Sequence, residues 1–500
     1  MTIPDHTGLS DKHTNSNRLR LVTVFFFRNP EPFPSSPGPY CTDSVCCLTA
    51  AKHKPLHYRL TCSKLFIYQY IPAEISLYSR AGTHKGYLTP FAPGHQNSQR
   101  MMKYKFFLKI LFLLIAAVPA TAQKIPWSEW MAKSIIIRQP DTLKVPHKKY
   151  AQWNYEQGLV LKALEKVWND TGDSSILLYI KKNTDYFVSE QGDIRTYRKE
   201  DYNLDNIASG KSLLTLYNQE LPDKEKYKKA ADKLWNQLID QPKTKSGGYW
   251  HKKIYPWQIW LDGLFMAEPF AAEYASIFHH PEHFDQIALQ FSLVEKHMVN
   301  HQNGLIYHGY DESKSQQWAD SETGLSPQFW GRAIGWYAMA LVDVLDYFPE
   351  NHPKRPILIA SLNRLAPALA TYQDHKTGVW YQIVDMAGRQ GNYPEASSTC
   401  MFVYSLAKGV RLGYIPNHFK QTAIRGYEGI LREFITREND DTISLTGTVS
   451  VGGLGGKPYR DGSYAYYLSE PVRTNDLKGT GAFIFASTEI EQLKKAESID

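Results

Sequence analysis

The segment NGLIYHGY, residues 303–310, has two counterparts in the chain, SGGYWHK at 246–252 and TGVWYQIVD at 377–385. Each places a glycine after a helical stretch and follows it with aromatic and polar residues. Glycine accepts the left-handed backbone that ends helices, so the residues after it turn back across one end of the fold. Outward from these returns, apolar positions recur at three and four, as in Leu213, Leu214, Leu216 and Tyr217. The pattern predicts helices over 151–169, 174–189, 205–219, 224–240, 259–278, 282–299, 331–348, 355–372, 398–412, 417–434 and 476–493, with a twelfth near 126–137. Strand-like alternation is scarce and confined to connectors. An all-α chain of helical hairpins with a weak internal repeat predicts an (α/α)6 barrel, and a helical solenoid is the alternative. Closure is favoured because the returns concentrate Trp, Tyr, His and Asp, which suits a pocket at one rim.

Not all of the 500 residues follow this pattern. Lys103 and Lys105 precede an apolar run from Phe106 to Val118, broken only by Lys109, and Ala120-Thr121-Ala122 follows. A basic region, an apolar region and an A-x-A site read as a secretory signal peptide, and the run is shorter than the roughly 20 residues of a membrane span. A signal peptide that starts at Met101 or Met102 divides the chain. Residues 1–100, rich in Pro and Ser and without sustained periodicity, read as a mis-assigned start. Residues 101–122 read as the signal and 123–500 as one helical domain. A genuine extension with an internal membrane anchor is the alternative. The expected location is secreted or periplasmic, as a monomer without stable membrane insertion.

The charge balance changes with that division. Residues 1–100 hold 11 Lys and Arg against 5 Asp and Glu, and 101–122 add three lysines, so the overall +7 becomes −2 for 123–500. The basic excess belongs to the leader and does not argue for nucleic-acid binding. Four of the five cysteines, Cys41, Cys46, Cys47 and Cys62, also lie there. Cys400 alone remains, which excludes an intramolecular disulfide in the exported part and reads as a small core residue.

The stretch HKKIYPWQIWLDGLFMAEPF (251–270) sets Asp262 among Trp257, Trp260, Phe265 and Phe270. Apolar surroundings disfavour a charged carboxylate and so favour proton donation. Asp at a helix start is also a common N-cap. Asp205, in YNLDNIASGKSL, begins another predicted helix and carries the same two readings. Two such acids in successive hairpins would face each other across a barrel mouth as a glycosidase pair. In SPQFWGRAIGWYAMALVD (326–343), Trp330 and Trp336 suit sugar stacking and the planar fork of Arg332 suits a carboxylate, although core tryptophans and a surface arginine fit too. His251, Lys252 and His308 are further polar candidates on the returns. Absence of H-E-x-x-H and of a Cys/His cluster argues against a metal. No G-x-S-x-G elbow supports a serine hydrolase, and no G-x-G-x-x-G supports a dinucleotide site. Gly456-Lys457 fails as a phosphate loop, being one residue short and followed by Pro458.

The segments PWQIWLDGLFM, FWGRAIGWYAMALVD and the closing GGLGG-x-PYRDGSYAYYLSEPV-x-x-ND-x-KG-x-GAFI resemble the unsaturated rhamnogalacturonyl hydrolases of glycoside hydrolase family 105, related to the unsaturated glucuronyl hydrolases of family 88. The resemblance spans about 145–493. It implies an (α/α)6 barrel without cofactor or metal, acting on lyase-generated pectin-type oligosaccharides whose non-reducing uronate carries a C4=C5 double bond. It implies Asp262 as general acid and base, assisted by Asp205. It places His251, Lys252, His308, Trp330, Arg332 and Trp336 at substrate-binding positions, with Tyr155 of WNYEQG as a pocket tyrosine. Two alternatives stand beside it: an ordinary inverting glycosidase on the same barrel, and a non-catalytic glycan-binding protein.

Overall fold

A computed structural model of the chain describes residues 125–145, 148–438 and 441–497. The proposed leader, 1–100, and signal peptide, 101–122, lie outside the described residues. Those described contain thirteen α-helices: α1 (Trp127–Arg138), α2 (Tyr155–Thr171), α3 (Ser174–Asp185), α4 (Gly210–Tyr217), α5 (Lys224–Asp240), α6 (Leu261–Phe278), α7 (His283–His297), α8 (Gly331–Val344), α9 (Arg355–Thr371), α10 (Ala396–Arg411), α11 (Lys420–Glu433), α12 (Tyr464–Ser469) and α13 (Leu477–Glu497). Three two-stranded antiparallel ribbons pair β1 (Gln258–Trp260) with β2 (Gly309–Asp311), β3 (Ile435–Arg437) with β4 (Ile443–Leu445), and β5 (Thr448–Val449) with β6 (Val472–Arg473).

Packing sorts twelve of these helices into two rings. α2, α4, α6, α8, α10 and α13 each pack on the next, and α13 packs back on α2. Around them lie α1, α3, α5, α7, α9 and α11. The inner ring is closed, so the chain forms an (α/α)6 barrel and the solenoid is set aside. Residue choice explains the sorting. Inner helix α6 buries fifteen of its 18 residues and α8 thirteen of 14, whereas outer α11 buries five of 14. A helix apolar on all sides belongs inside, and a helix with one apolar stripe belongs at the surface. Small residues let the inner helices approach: a Cβ on Gly158 of α2 would lie 2.6 Å from Ser209 Cα, and one on Gly335 of α8 would lie 2.8 Å from Met401.

The connections differ at the two ends of the barrel. Only Gly172 and Asp173 separate α2 from α3, while 298–330 separate α7 from α8 and 434–476 separate α11 from α13. Every long connection runs from an outer helix to the start of an inner one, so all of them gather at one mouth. The aromatic returns are among these connections. Gly247, Gly304 and Gly378 have φ of +96°, +73° and +79°, as expected of glycine. They are not helix caps, however. Each sits in a tight turn beyond the helix end, closed by Thr244 N to Gly248 O, Asn300 N to Leu305 O, or Asp374 N to Val379 O. A fourth copy surrounds Gly192, between α3 and α4, with Ser189 N bonded to Asp193 O.

Candidate active site at the barrel mouth

The predicted residues converge at the N-terminal ends of the inner helices. Tyr155 opens α2, Asp262 is the second residue of α6, and Arg332 is the second residue of α8. Asp205 departs from expectation. It lies in a 3-10 turn, Leu204–Asn206, and α4 begins only at Gly210. The turn packs on the start of α6, and Leu204 Cδ1 would lie 3.2 Å from a Cβ on Gly263.

Both carboxylate oxygens of Asp205 are occupied. Lys252 Nζ is 2.5 Å from Oδ2 and His251 Nε2 is 3.2 Å from Oδ1. Burial pushes this carboxyl group toward protonation, but Lys252 and His251 together outweigh it and hold Asp205 well below the usual carboxylate range. It is a fixed anion. His251 in turn lies over the start of α6, where a Cβ on Gly263 would come within 3.2 Å of its Nδ1. A glycine after Asp262 is what lets that ring settle.

Asp262 is held differently. β1 pairs Trp260 with Gly309 of β2, and Leu261 N donates to His308 O at 3.1 Å. This ribbon sets His308 beside Asp262, with Nε2 3.1 Å from Oδ2 but not aligned as a hydrogen bond. The other ring nitrogen, Nδ1, lies 2.6 Å from the Tyr467 hydroxyl. Burial, with Asp262 adding to it, pushes the Tyr467 hydroxyl well above its ordinary range. The hydroxyl therefore stays protonated and shares a hydrogen bond with Nδ1, while the other ring nitrogen, Nε2, faces Asp262. The carboxyl group of Asp262 remains 13% exposed to the mouth.

Around these acids the aromatic rings form a wall. His251 stacks on Trp260 at 4.7 Å and Trp260 on Tyr255 at 4.8 Å, while Trp330 lies 4.8 Å from His308. Trp257 has φ of +66°, an uncommon conformation for a bulky residue. Trp330 and Trp336 do not offer the open stacking faces expected of them, since each is 1% exposed. Trp336 stacks on Phe265 beneath the site and meets the edge of half-buried Tyr155. Trp330 is covered by the 447–470 loop, where a Cβ on Gly452 would lie 2.4 Å from its ring.

Arg332 is also less available than its sequence suggests. Nε donates to Ser397 Oγ at 2.9 Å, and Nη2 donates to Val449 O and lies 3.6 Å from Glu395 Oε1. Nη1 carries no protein hydrogen bond among the described residues. Burial and Glu156, with Asp205 after them, push the Tyr155 hydroxyl well above its ordinary range, and Arg332 opposes them. Cys400 is fully buried in α10, and burial pushes its thiol up, which makes it unreactive.

Several residues at the mouth carried no role in the sequence reading. Tyr467 and Arg460 lie in the PYRDGSYAYYLSE segment, whose density of tyrosine was the available signal. Glu395 and Ser397 gave none, because they meet Arg332 only through the fold. No group of three or more His, Cys, Asp and Glu among the described residues is arranged to hold a metal, and no described helix is long and apolar enough to cross a membrane. The arrangement supplies one carboxyl group able to exchange a proton with a bound molecule, backed by His308 and Tyr467, beside a second carboxylate that is fixed.

The chain is similar to known glycoside hydrolases. The Glycosyl Hydrolase Family 88 model matches residues 127–494. The structure of a family 105 glycoside hydrolase from C. acetobutylicum ATCC 824 is 46% identical, with a TM-score of 0.70, covering 73% of this chain and 99% of that one. Protein Atu3128 of Agrobacterium fabrum is 36% identical over 45% of this chain and 97% of its own length. An unsaturated rhamnogalacturonyl hydrolase of Bacillus subtilis is 30% identical over 26% of this chain and 36% of its own length.

Proposed function

Since this chain belongs to Glycosyl Hydrolase Family 88 and is a glycoside hydrolase, we propose that it releases the non-reducing C4=C5-unsaturated uronate from lyase-generated pectin and rhamnogalacturonan oligosaccharides. The observation that carries the reading is the inequality of the two acids. Asp205 has both oxygens occupied by Lys252 and His251, whereas Asp262 faces the mouth with no aligned hydrogen bond. A displacement at C1 requires two working carboxyl groups. Hydration of an enol ether requires one, acting first as acid and then as base.

In this mechanism protonated Asp262 gives its proton to C4, and the cation at C5 is stabilised by the ring oxygen. The Asp262 carboxylate then takes a proton from the water that bonds to C5. The resulting hemiketal opens by breaking C5–O5, which leaves a hemiacetal at C1 that expels the aglycone as an alcohol. His308, with Nε2 3.1 Å from Oδ2, flanks the Asp262 carboxylate through its two tasks, and Asp205 holds Lys252 and His251 in place. Arg332 Nη1, with its other donors already held, is positioned for the uronate carboxylate.

The test follows the conjugated C4=C5–carboxylate chromophore of unsaturated uronyl-rhamnose by ultraviolet absorbance, with Asp262→Asn as control. Loss of absorbance with the native protein only is expected. Unchanged absorbance alongside cleavage of a saturated glycoside would replace hydration with ordinary glycosidase chemistry. Export is part of the same proposal, supported by the 101–122 pattern. Fractionation of expressing cells checks it, and retention in the cytoplasm would refute it.

A further inference from the structure

Arg460 is the outermost member of the aromatic wall. From Asp205 the line runs through His251, Trp260 and Tyr255, each ring stacked on the next, and exposure rises along it from buried to half-buried. Arg460 Nη2 donates to the Tyr255 hydroxyl at 2.8 Å and Nε donates to Gly455 O at 2.9 Å. The glycine-rich turn lies flat against the guanidinium: a Cβ on Gly453 would come within 2.3 Å of Nη1 and one on Gly456 within 3.1 Å of Nη2. A half-buried arginine has thus been fixed in position by two loops from opposite sides of the mouth. Among the described residues no carboxylate pairs with it. Lys252, the neighbouring cation, is already held by Asp205.

A rigid, unpaired guanidinium is pre-organised for an oxyanion. The uronate's own carboxylate is not its partner, because C4 must reach Asp262, and Arg332 holds the matching second position on the adjacent inner helix. The rim is the side toward which the aglycone leaves. We propose that Arg460 is a specificity-determining residue that binds an acidic group on the aglycone, a second carboxylate or a sulfate ester. The inference rests on the hydrolase reading of the same site.

Three unsaturated substrates test it at low ionic strength: uronyl-rhamnose, the same disaccharide sulfated on rhamnose, and a tetrasaccharide with a second uronate. The readout is the ratio of kcat/KM for each acidic-aglycone substrate to that for the neutral one, taken within each variant so that a general loss cancels. The native protein is expected to favour at least one acidic aglycone by about tenfold, through KM, as one charge-assisted hydrogen bond supplies. Which substrate is favoured tells carboxylate from sulfate. Arg460→Gln is expected to bring the ratio to about one, Arg460→Lys to restore part of it, and Tyr255→Phe to weaken it. A native ratio near one, or a ratio unchanged in Arg460→Gln, overturns the inference while leaving the hydrolase intact. Failure of the native protein on all three substrates removes the hydrolase reading and this inference with it.

Discussion

The two ends of the inner ring are both rich in buried charge, yet they treat it in opposite ways. At the mouth Asp262 faces the opening without an aligned partner, and Arg332 and Arg460 each keep one Nη without a protein hydrogen bond. At the base, Lys162 Nζ bonds to both oxygens of Glu273, at 3.0 and 3.1 Å, and Lys408 bridges Asp343 at 2.9 Å and Asp346 at 2.6 Å. These pairs surround a cavity of about 110 Å³ lined by Lys162, Glu165, Lys211, Glu273, Asp343 and Tyr347. Helix direction contributes to the contrast. N-terminal ends converge at the mouth, where they favour anions, and C-terminal ends converge at the base, where lysines are favourable. Long connections gather at the mouth and short ones at the base. Asp262 is therefore open to a ligand at the mouth, whereas Lys162 and Lys408 are satisfied within the protein at the base.

The sharpest way to break this comparison is to neutralise one acid at the mouth. Asp262→Asn is expected to lower kcat by about 10³-fold while the melting temperature stays within about 2 °C. A comparable loss of stability would mean that Asp262 is structural. The converse variant lies at the base. Lys162→Met leaves Glu273 buried without its cation and is expected to cost about 3–5 kcal/mol in urea unfolding, with kcat kept well below the melting point. Equal turnover loss in both variants would erase the distinction between the ends.

Lys211 joins the two regions. Its ammonium lies 3.9 Å from the Phe265 ring beneath the catalytic floor, with no hydrogen-bond partner, and burial pushes its pKa down to about 8 from 10.5. The unfolded chain then holds more protons than the folded one between pH 8 and 10.5, so this group makes stability rise with pH across that window. Lys211→Met is expected to remove that rise, on the order of 3 kcal/mol, and to leave the pH dependence elsewhere unchanged. Parallel pH–stability curves for the two proteins would show that Lys211 is not desolvated. The smallest effect belongs to Tyr467→Phe, which deletes the hydroxyl behind His308. About a tenfold fall in kcat with a displaced pH–rate profile is expected, and an unchanged profile would remove Tyr467 from the proton path.

Much of the fold was legible because helix type and burial are properties of local residue choice. The predicted helices 355–372 and 224–240 match α9 and α5 to within a residue, and the twelfth near 126–137 is α1. The predicted 259–278 helix began too early, because Gln258–Trp260 pairs with β2, a partner some fifty positions away. Asp205 was placed at a helix start by the same local logic, which does not register a 3-10 turn packed on another helix. The tryptophans were identified as aromatic members of a site, yet the burial of Trp330 depends on a loop more than a hundred residues downstream. Glu395 and Ser397 left no trace, since nothing near them in sequence indicates a buried guanidinium.

Apolar periodicity, glycine-centred returns and the grouping of Asp, His and Trp around them were enough to determine hairpins, their order and the chemistry collected at their ends. Those features act over a few residues, within reach of a turn or a helical face. Ring closure between α2 and α13 was decided only when distant segments met, and so were the pairing of Asp205 with Lys252 and the approach of Tyr467 to His308. Two carboxyl groups in similar local settings thereby became unequal, because hydrogen bonding and electrostatic pairing depend on distance in space, which separation along the chain does not set.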